Sequence, residues 1–161
     1  MKELADFDSR LEGDVISKVE SGNAYADQGN HEKALVCYSD AWDLLPEPKQ
    51  NWEMLSSWVA SCFYTSYFEL GNFGAAVKWA RIALDTRSSE VDTGPIINLG
   101  MAQYENGQTE EAWHNFHAAY LYGKIRAFKE RPAKYLAYYL DRSNRLLKYW
   151  FAHRQPRTST A

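Results

Sequence analysis

A six-residue phrase recurs three times in this chain: Gly29-Asn30-His31-Glu32-Lys33-Ala34, Gly71-Asn72-Phe73-Gly74-Ala75-Ala76 and Gly107-Gln108-Thr109-Glu110-Glu111-Ala112. The residues that follow keep the same register. Tyr38, Ala80 and Phe116 come four positions after the closing alanine, and Ala41, Ala83 and Ala119 three positions later. Self-similarity at such a period marks stacked supersecondary units. Each glycine suits the left-handed backbone that ends a helix, and the offsets after it place the three marked side chains on one face of a second helix. Two of the three are alanine, which lets neighbouring helices approach closely.

Periodicity then sets the units. In the first, Val15, Val19, Gly22 and Tyr25 precede the Gly29 stop. A second helix from about 31 to 45 carries Ala34, Leu35, Tyr38, Ala41, Leu44 and Leu45. Pro46 ends it, because proline disfavours helix in the residue before it. The second unit is stretched: Gly29 to Gly71 is 42 residues, whereas Gly71 to Gly107 is 36. Its first helix is expected from about Asn51 to Leu70, dense in Trp52, Trp58, Phe63, Tyr64, Tyr67 and Phe68, and therefore central. Tyr64 stands where the other units have glycine, so looser or shifted packing is expected there. The third unit opens at Pro95, a favoured first helical residue. Thr109 is read as the N-cap of its second helix.

Gly22, Tyr25, Ala34, Tyr38, Ala41 and Pro46 resemble the tetratricopeptide repeat, and Gly100, Ala112, Phe116 and Ala119 match it again. The resemblance covers about residues 15–123 and implies an all-α, right-handed array of three helical hairpins. The domain reading is an N-terminal segment at 1–14, weakly patterned and ending near Gly13. Hairpins follow at 15–131, a capping helix at 132–154 and a frayed tail at 155–161. The capping helix carries an apolar stripe of Leu136, Leu140, Leu147 and Trp150, with Tyr139, Leu146 and Phe151 beside them. Repeat arrays need such a helix to cover the last exposed face. A closer resemblance rests on Pro46-Glu47-Pro48-Lys49 with Trp52-Glu53, on Gly94-Pro95-Ile96, and on Arg131-Pro132-Ala133-Lys134-Tyr135-Leu136. These segments are similar to a group of small bacterial three-repeat proteins often encoded beside toxins, and that likeness implies an immunity role.

Charge is unevenly distributed. Residues 1–123 hold 8 Lys and Arg against 19 Asp and Glu, a balance of −11; residues 124–161 hold 10 against 2, a balance of +8. No apolar run approaches the roughly 20 residues of a membrane span. The start, Met1 to Asp6, shows no signal-peptide pattern, so the cytoplasm is the expected compartment. Cys37 and Cys62 fall in apolar helical stretches and read as small buried hydrophobes.

No phosphate-cradling glycine loop, nucleophile elbow or zinc-type cysteine pairing is present in the sequence. His114 and His117 near Glu110 and Glu111 have metal-like spacing, but no second ligand cluster converges on them, so a solvated outer face is expected. The reading is a protein-binding module with no catalytic residues, no cofactor and no metal. In a stacked array the first helices line the inner curve. That places Ile16, Val19, Glu20, Asn23 and Asp27 there from the first unit. The second unit contributes Trp58, Ser61, Thr65, Phe68 and Glu69, and the third Ile97, Asn98, Met101, Tyr104 and Glu105. Packing between repeats is the competing use for Trp58 and Tyr104. An acidic lining favours a partner with a basic surface and disfavours nucleic acid. The immunity reading competes with a chaperone for a secreted, type III-like substrate and with a self-associating scaffold. The basic end is either a cap lying on the chain's own acidic surface or a second contact site.

Overall fold

A computed structural model describes residues 3–87, 89 and 91–153 of the chain. Seven α-helices are found among them and no strand: α1 (Leu4–Ala26), α2 (His31–Leu44), α3 (Glu53–Glu69), α4 (Phe73–Asp85), α5 (Thr93–Glu105), α6 (Thr109–Gly123) and α7 (Ala133–His153). Short 3-10 turns at Lys49–Asn51 and Lys124–Phe128 precede α3 and α7. The tail read at 155–161 lies outside the described residues.

Three hairpins, α1/α2, α3/α4 and α5/α6, stack so that α2 packs on α3 and α4 on α5. The first helices also touch, α1 on α3 and α3 on α5, and so form one wall of the stack. Each hairpin turns at a glycine of positive φ, Gly29 (74°), Gly71 (71°) and Gly107 (79°), a conformation that costs a residue with a Cβ about 1–2 kcal/mol. The asparagine after two of these glycines starts the next helix. Asn30 Oδ1 accepts the Lys33 N–H and Asn72 Oδ1 the Ala75 N–H, both at 3.2 Å. In the third hairpin Gln108, not Thr109, occupies the cap position, and its Oε1 accepts from the Asn106 amide instead. Replacing Asn30 or Asn72 by alanine is expected to cost about 1 kcal/mol each. The two losses should add in the double variant, because the caps lie in separate hairpins; urea midpoints at constant slope test this.

Where the structure departs from the periodicity, packing explains it. Gly13 does not end a helix: α1 runs from Leu4, with one non-helical residue at Asp8, whose carboxylate accepts the Arg10 and Leu11 N–H groups. Leu4 is buried in the first core beside Val15, Val19, Tyr38 and Leu55, so the N-terminal segment is part of the array. Asp92, rather than Pro95, opens the third unit: its carboxylate accepts the Gly94 N–H at 2.9 Å and the helix starts at Thr93. The extra length of the second unit goes partly into α3, 17 residues against 13 in α5, and partly into a braced loop. Lys49 Nζ donates to the Trp42 and Leu45 carbonyls at the end of α2, both at 2.8 Å, and Trp52 Nε1 donates to the Pro46 carbonyl at 2.8 Å.

The Tyr64 position resolves differently from the expectation of looser packing. In the first and third hairpins a glycine on the first helix faces an aromatic ring on the second. A Cβ on Gly22 would meet the Tyr38 ring, and one on Gly100 would come within 2.7 Å of the Phe116 ring. In the second hairpin the large and small partners change places. Tyr64 on α3 is buried with Ala76 and Ala80 of α4 and with Leu99 and Ala102 of α5. The pair Tyr64/Ala80 fills the volume that Gly22/Tyr38 and Gly100/Phe116 fill elsewhere, so interior density is kept.

Candidate functional site

Helical geometry decides which wall residues can meet a ligand. Glu20, Asn23 and Asp27 share one stripe of α1, and Ser61, Thr65 and Glu69 one stripe of α3. Where α1 and α3 run side by side, a cleft of about 370 Å³ opens, lined by Asn23, Asp27, Ser61 and Thr65 together with Ala26, Tyr38, Cys62 and Ser66. Four of the residues expected from sequence are therefore brought together. Glu20 and Glu69 are exposed on the same stripes, and Ile16 is half-buried against the first core.

Other expected residues are used by the fold. Val19 and Ile97 are 0% exposed and Met101 is buried; all three are core residues rather than groove anchors. Val19 and Ile97 stand three residues before Gly22 and Gly100, on the helix face that meets the second helix of the hairpin. That spacing was the available signal against placing them in a groove. Trp58 is half-buried against the first core, and Phe68 lies between Tyr64 and Phe73 at ring distances of 5.6 and 5.4 Å. Asn98 is half-buried on α5, and its Oδ1 is buried without a hydrogen-bond partner among the described residues.

The third unit's share of the wall is taken by α7. Tyr104 packs edge-on against Tyr135 (5.6 Å) and Tyr138 (4.9 Å). Glu105 accepts from the Tyr135 hydroxyl at 2.7 Å and pairs with Lys134 at 2.5 Å. Arg142 pairs with Glu110 and lies over the Trp113 ring. Part of the basic end thus folds back on acidic surface of its own chain. His114 is exposed as expected, whereas His117 is half-buried: its ring stacks on Trp113 at 5.0 Å, and its Nδ1 lies 3.0 Å from the Tyr139 hydroxyl. Among the described residues no group of three His, Cys, Asp or Glu is placed to hold a metal ion.

Burial opposes ionisation of Glu105, but the hydrogen bonds from Lys134 and Tyr135 and the Lys134 charge outweigh it and hold the carboxyl below its ordinary value. A depressed carboxylate stabilises the fold above its unfolded pKa of about 4.3, and this stabilisation is lost as pH falls through the lower folded value. Glu105→Gln is expected to lower stability at neutral pH, with the difference from wild type closing below about pH 4; urea unfolding across that range measures it.

In the cleft, hydrogen bonding fixes polarity. Tyr38 OH donates to Asn23 Oδ1 at 2.9 Å, and the Cys62 thiol contacts the same oxygen at 3.6 Å. Burial pushes the Cys62 thiol up to about 11, so it stays protonated at neutral pH. Ser61 Oγ donates to the Ser57 carbonyl at 2.8 Å and Thr65 Oγ1 to the Ser61 carbonyl at 3.0 Å. Their hydrogens are spent on their own helix, so both hydroxyls present lone pairs to the cleft. With the exposed Asp27 carboxylate beside them, this wall is rich in acceptors.

No protein-family model matches the chain, and no curated protein matches it. Among solved structures it is similar to the C-terminal tetratricopeptide-containing domain of a Plasmodium falciparum protein described as FK506-binding. The TM-score is 0.67 at 17% identity, covering 88% of this chain and 94% of that one. The fold is a tetratricopeptide-type helical array. At that identity the likeness carries the fold alone. In this array no described helix is long and apolar enough to cross a membrane.

Proposed function

We propose that the chain is a protein-binding module that catalyses nothing and takes a basic surface of its partner against the α1/α3 cleft. The acceptor-rich wall carries this reading: Asp27, the lone pairs of Ser61 and Thr65, and the flanking Glu20 and Glu69 suit lysine and arginine side chains. The partner class that fits best is a toxin acting on nucleic acid, whose own binding surface must be basic. An immunity protein that covers this surface blocks the toxin by occlusion, as the resemblance of the Pro46–Glu53 and Arg131–Leu136 segments implies. The acidic character of the wall also makes it a poor ligand for RNA or DNA itself.

Co-expression with the product of the adjacent gene tests the proposal. Rescue of growth and co-purification are expected, and both should be lost in the Asp27→Lys/Glu69→Lys variant with helical content unchanged. Absence of rescue and of co-purification by the wild-type chain would sink the immunity role. A partner that co-purifies unfolded, without being toxic, would point to the chaperone reading instead.

A further inference from the structure

The third hairpin uses only the first half of the apolar stripe that runs along α7. Tyr135 and Tyr139 are buried in the core that α6 shares. Ser143, Leu146, Leu147 and Trp150 continue the stripe of Tyr139 at helical spacing. Leu146 is 46% and Leu147 55% exposed, with Leu140 (36%) and Trp150 (48%) beside them. The charges of this stretch lie elsewhere. Helical geometry puts Asp141, Arg145 and Lys148 on the opposite side. Arg145 pairs with Asp141, and Arg142 is held by Glu110 and the Trp113 ring.

Between the stripe and α6 opens a pocket of about 530 Å³, lined by Trp113 and His117 of α6 and by Tyr139, Ser143, Leu146, Leu147 and Trp150 of α7. Its polar groups find partners inside the chain. Trp113 Nε1 donates to Ser143 Oγ at 3.3 Å, Ser143 Oγ donates to the Tyr139 carbonyl at 2.7 Å, and His117 Nδ1 meets the Tyr139 hydroxyl. The face can therefore be dried without orphaning these groups, which removes the main cost of covering them.

We propose that this face pairs with the same face of a second copy, in a two-fold dimer where Leu147 of each α7 enters the α6/α7 pocket of the other. Projecting side chain and hollow lie on one face, as a self-complementary contact requires. The area suffices. At about 200 Å² per large side chain, the exposed fractions of Leu140, Leu146, Leu147 and Trp150 amount to roughly 300–400 Å² of apolar surface per copy. Two copies bury about 700 Å² of it, and with the polar share of an ordinary interface the total reaches about 1,100–1,200 Å². That clears the roughly 1,000 Å² expected of a specific contact. Other occupants suit the face less well. Residues 154–161 hold no aromatic, leucine, isoleucine, valine or methionine, so the chain's own tail has nothing to place there. A stripe without formal charge gives a strongly acidic or basic partner no complementary group. The inference does not rest on the α1/α3 cleft: α7 packs on α6 and the turn before it, so a dimer through α7 carries two open clefts.

Sedimentation velocity of the full chain from micromolar to millimolar concentration, at low and high salt, reads the result. Wild type is expected to rise from monomer to dimer and stop there, and the dimer should persist in high salt because no charge pair holds it. Leu147→Asp should remain monomeric with unchanged helical content, whereas Lys148→Glu, on the opposite side of α7, should dimerise like wild type. Labelled Leu147→Asp mixed with excess wild type decides the symmetry. A two-fold contact needs the stripe on both copies, so the labelled variant should stay monomeric. In a contact between two different surfaces it would keep one of them and still be captured. A wild-type chain monomeric throughout the range overturns the proposal. So do growth beyond the dimer, dissociation by salt, a dimeric Leu147→Asp, and its capture by wild type.

Discussion

Ala80→Phe is expected to destabilise the array by about 3 kcal/mol, because a ring at position 80 would claim the space that Tyr64 already fills. At roughly 2–4 °C per kcal/mol for a chain of this size, the melting temperature should fall by roughly 6–12 °C. Tyr64→Ala alone should also destabilise, by about 3–5 kcal/mol, since it removes a buried ring and leaves a cavity. The double variant restores the arrangement of the outer hairpins, with a small residue on the first helix and a ring on the second. It should therefore be clearly more stable than the sum of the single effects allows, with a coupling energy at the upper end of the 0.5–3 kcal/mol range for contacting residues. Chemical denaturation of the four proteins gives the cycle. Simple addition of the two losses would mean that the hairpins do not share one volume rule.

Phe116→Ala is expected to cost about 3–5 kcal/mol and to loosen α7 before the rest of the array. Phe116 is fully buried against Gly100, and its ring lies 5.6 Å from Phe128, 5.8 Å from Tyr135 and 6.4 Å from Tyr138. Three of its neighbours therefore belong to α7 or the turn before it. α7 closes one end of the stack and leaves Leu140, Leu146, Leu147 and Trp150 exposed, so this helix opens at the low end of the stability range. Hydrogen exchange should show amides of 133–153 losing protection first, while those of α1 to α4 keep theirs. Uniform loss along the chain would mean that α7 and the hairpins unfold as one unit.

The residues expected on the inner curve divide between the cleft, the core and the contact with α7. Asn23, Asp27, Ser61 and Thr65 meet in one cleft because helical spacing puts them on facing stripes of adjacent helices. Val19, Ile97 and Met101 went into the core, and Tyr104 and Glu105 went under α7. An apolar side chain on a first helix can serve either wall, and composition does not distinguish the two. Ser66, which lines the cleft and lies 3.3 Å from His31 Nδ1, carried no signal of its own among the small residues of α3.

What the sequence determined by itself is the set of turns and close approaches. A positive-φ glycine ends each first helix, and small residues at Ala34, Ala76 and Ala112 allow helices to touch, both consequences of local backbone sterics. Which residues remain free was decided only by tertiary structure, because that depends on elements distant in sequence. Leu4 is drawn into a core built around Val15, Tyr38 and Leu55, and Lys134 reaches back to Glu105. Position 64 takes a tyrosine because position 80 holds an alanine. The periodicity of one helix records which face is apolar; the neighbour that covers that face is chosen by the stack.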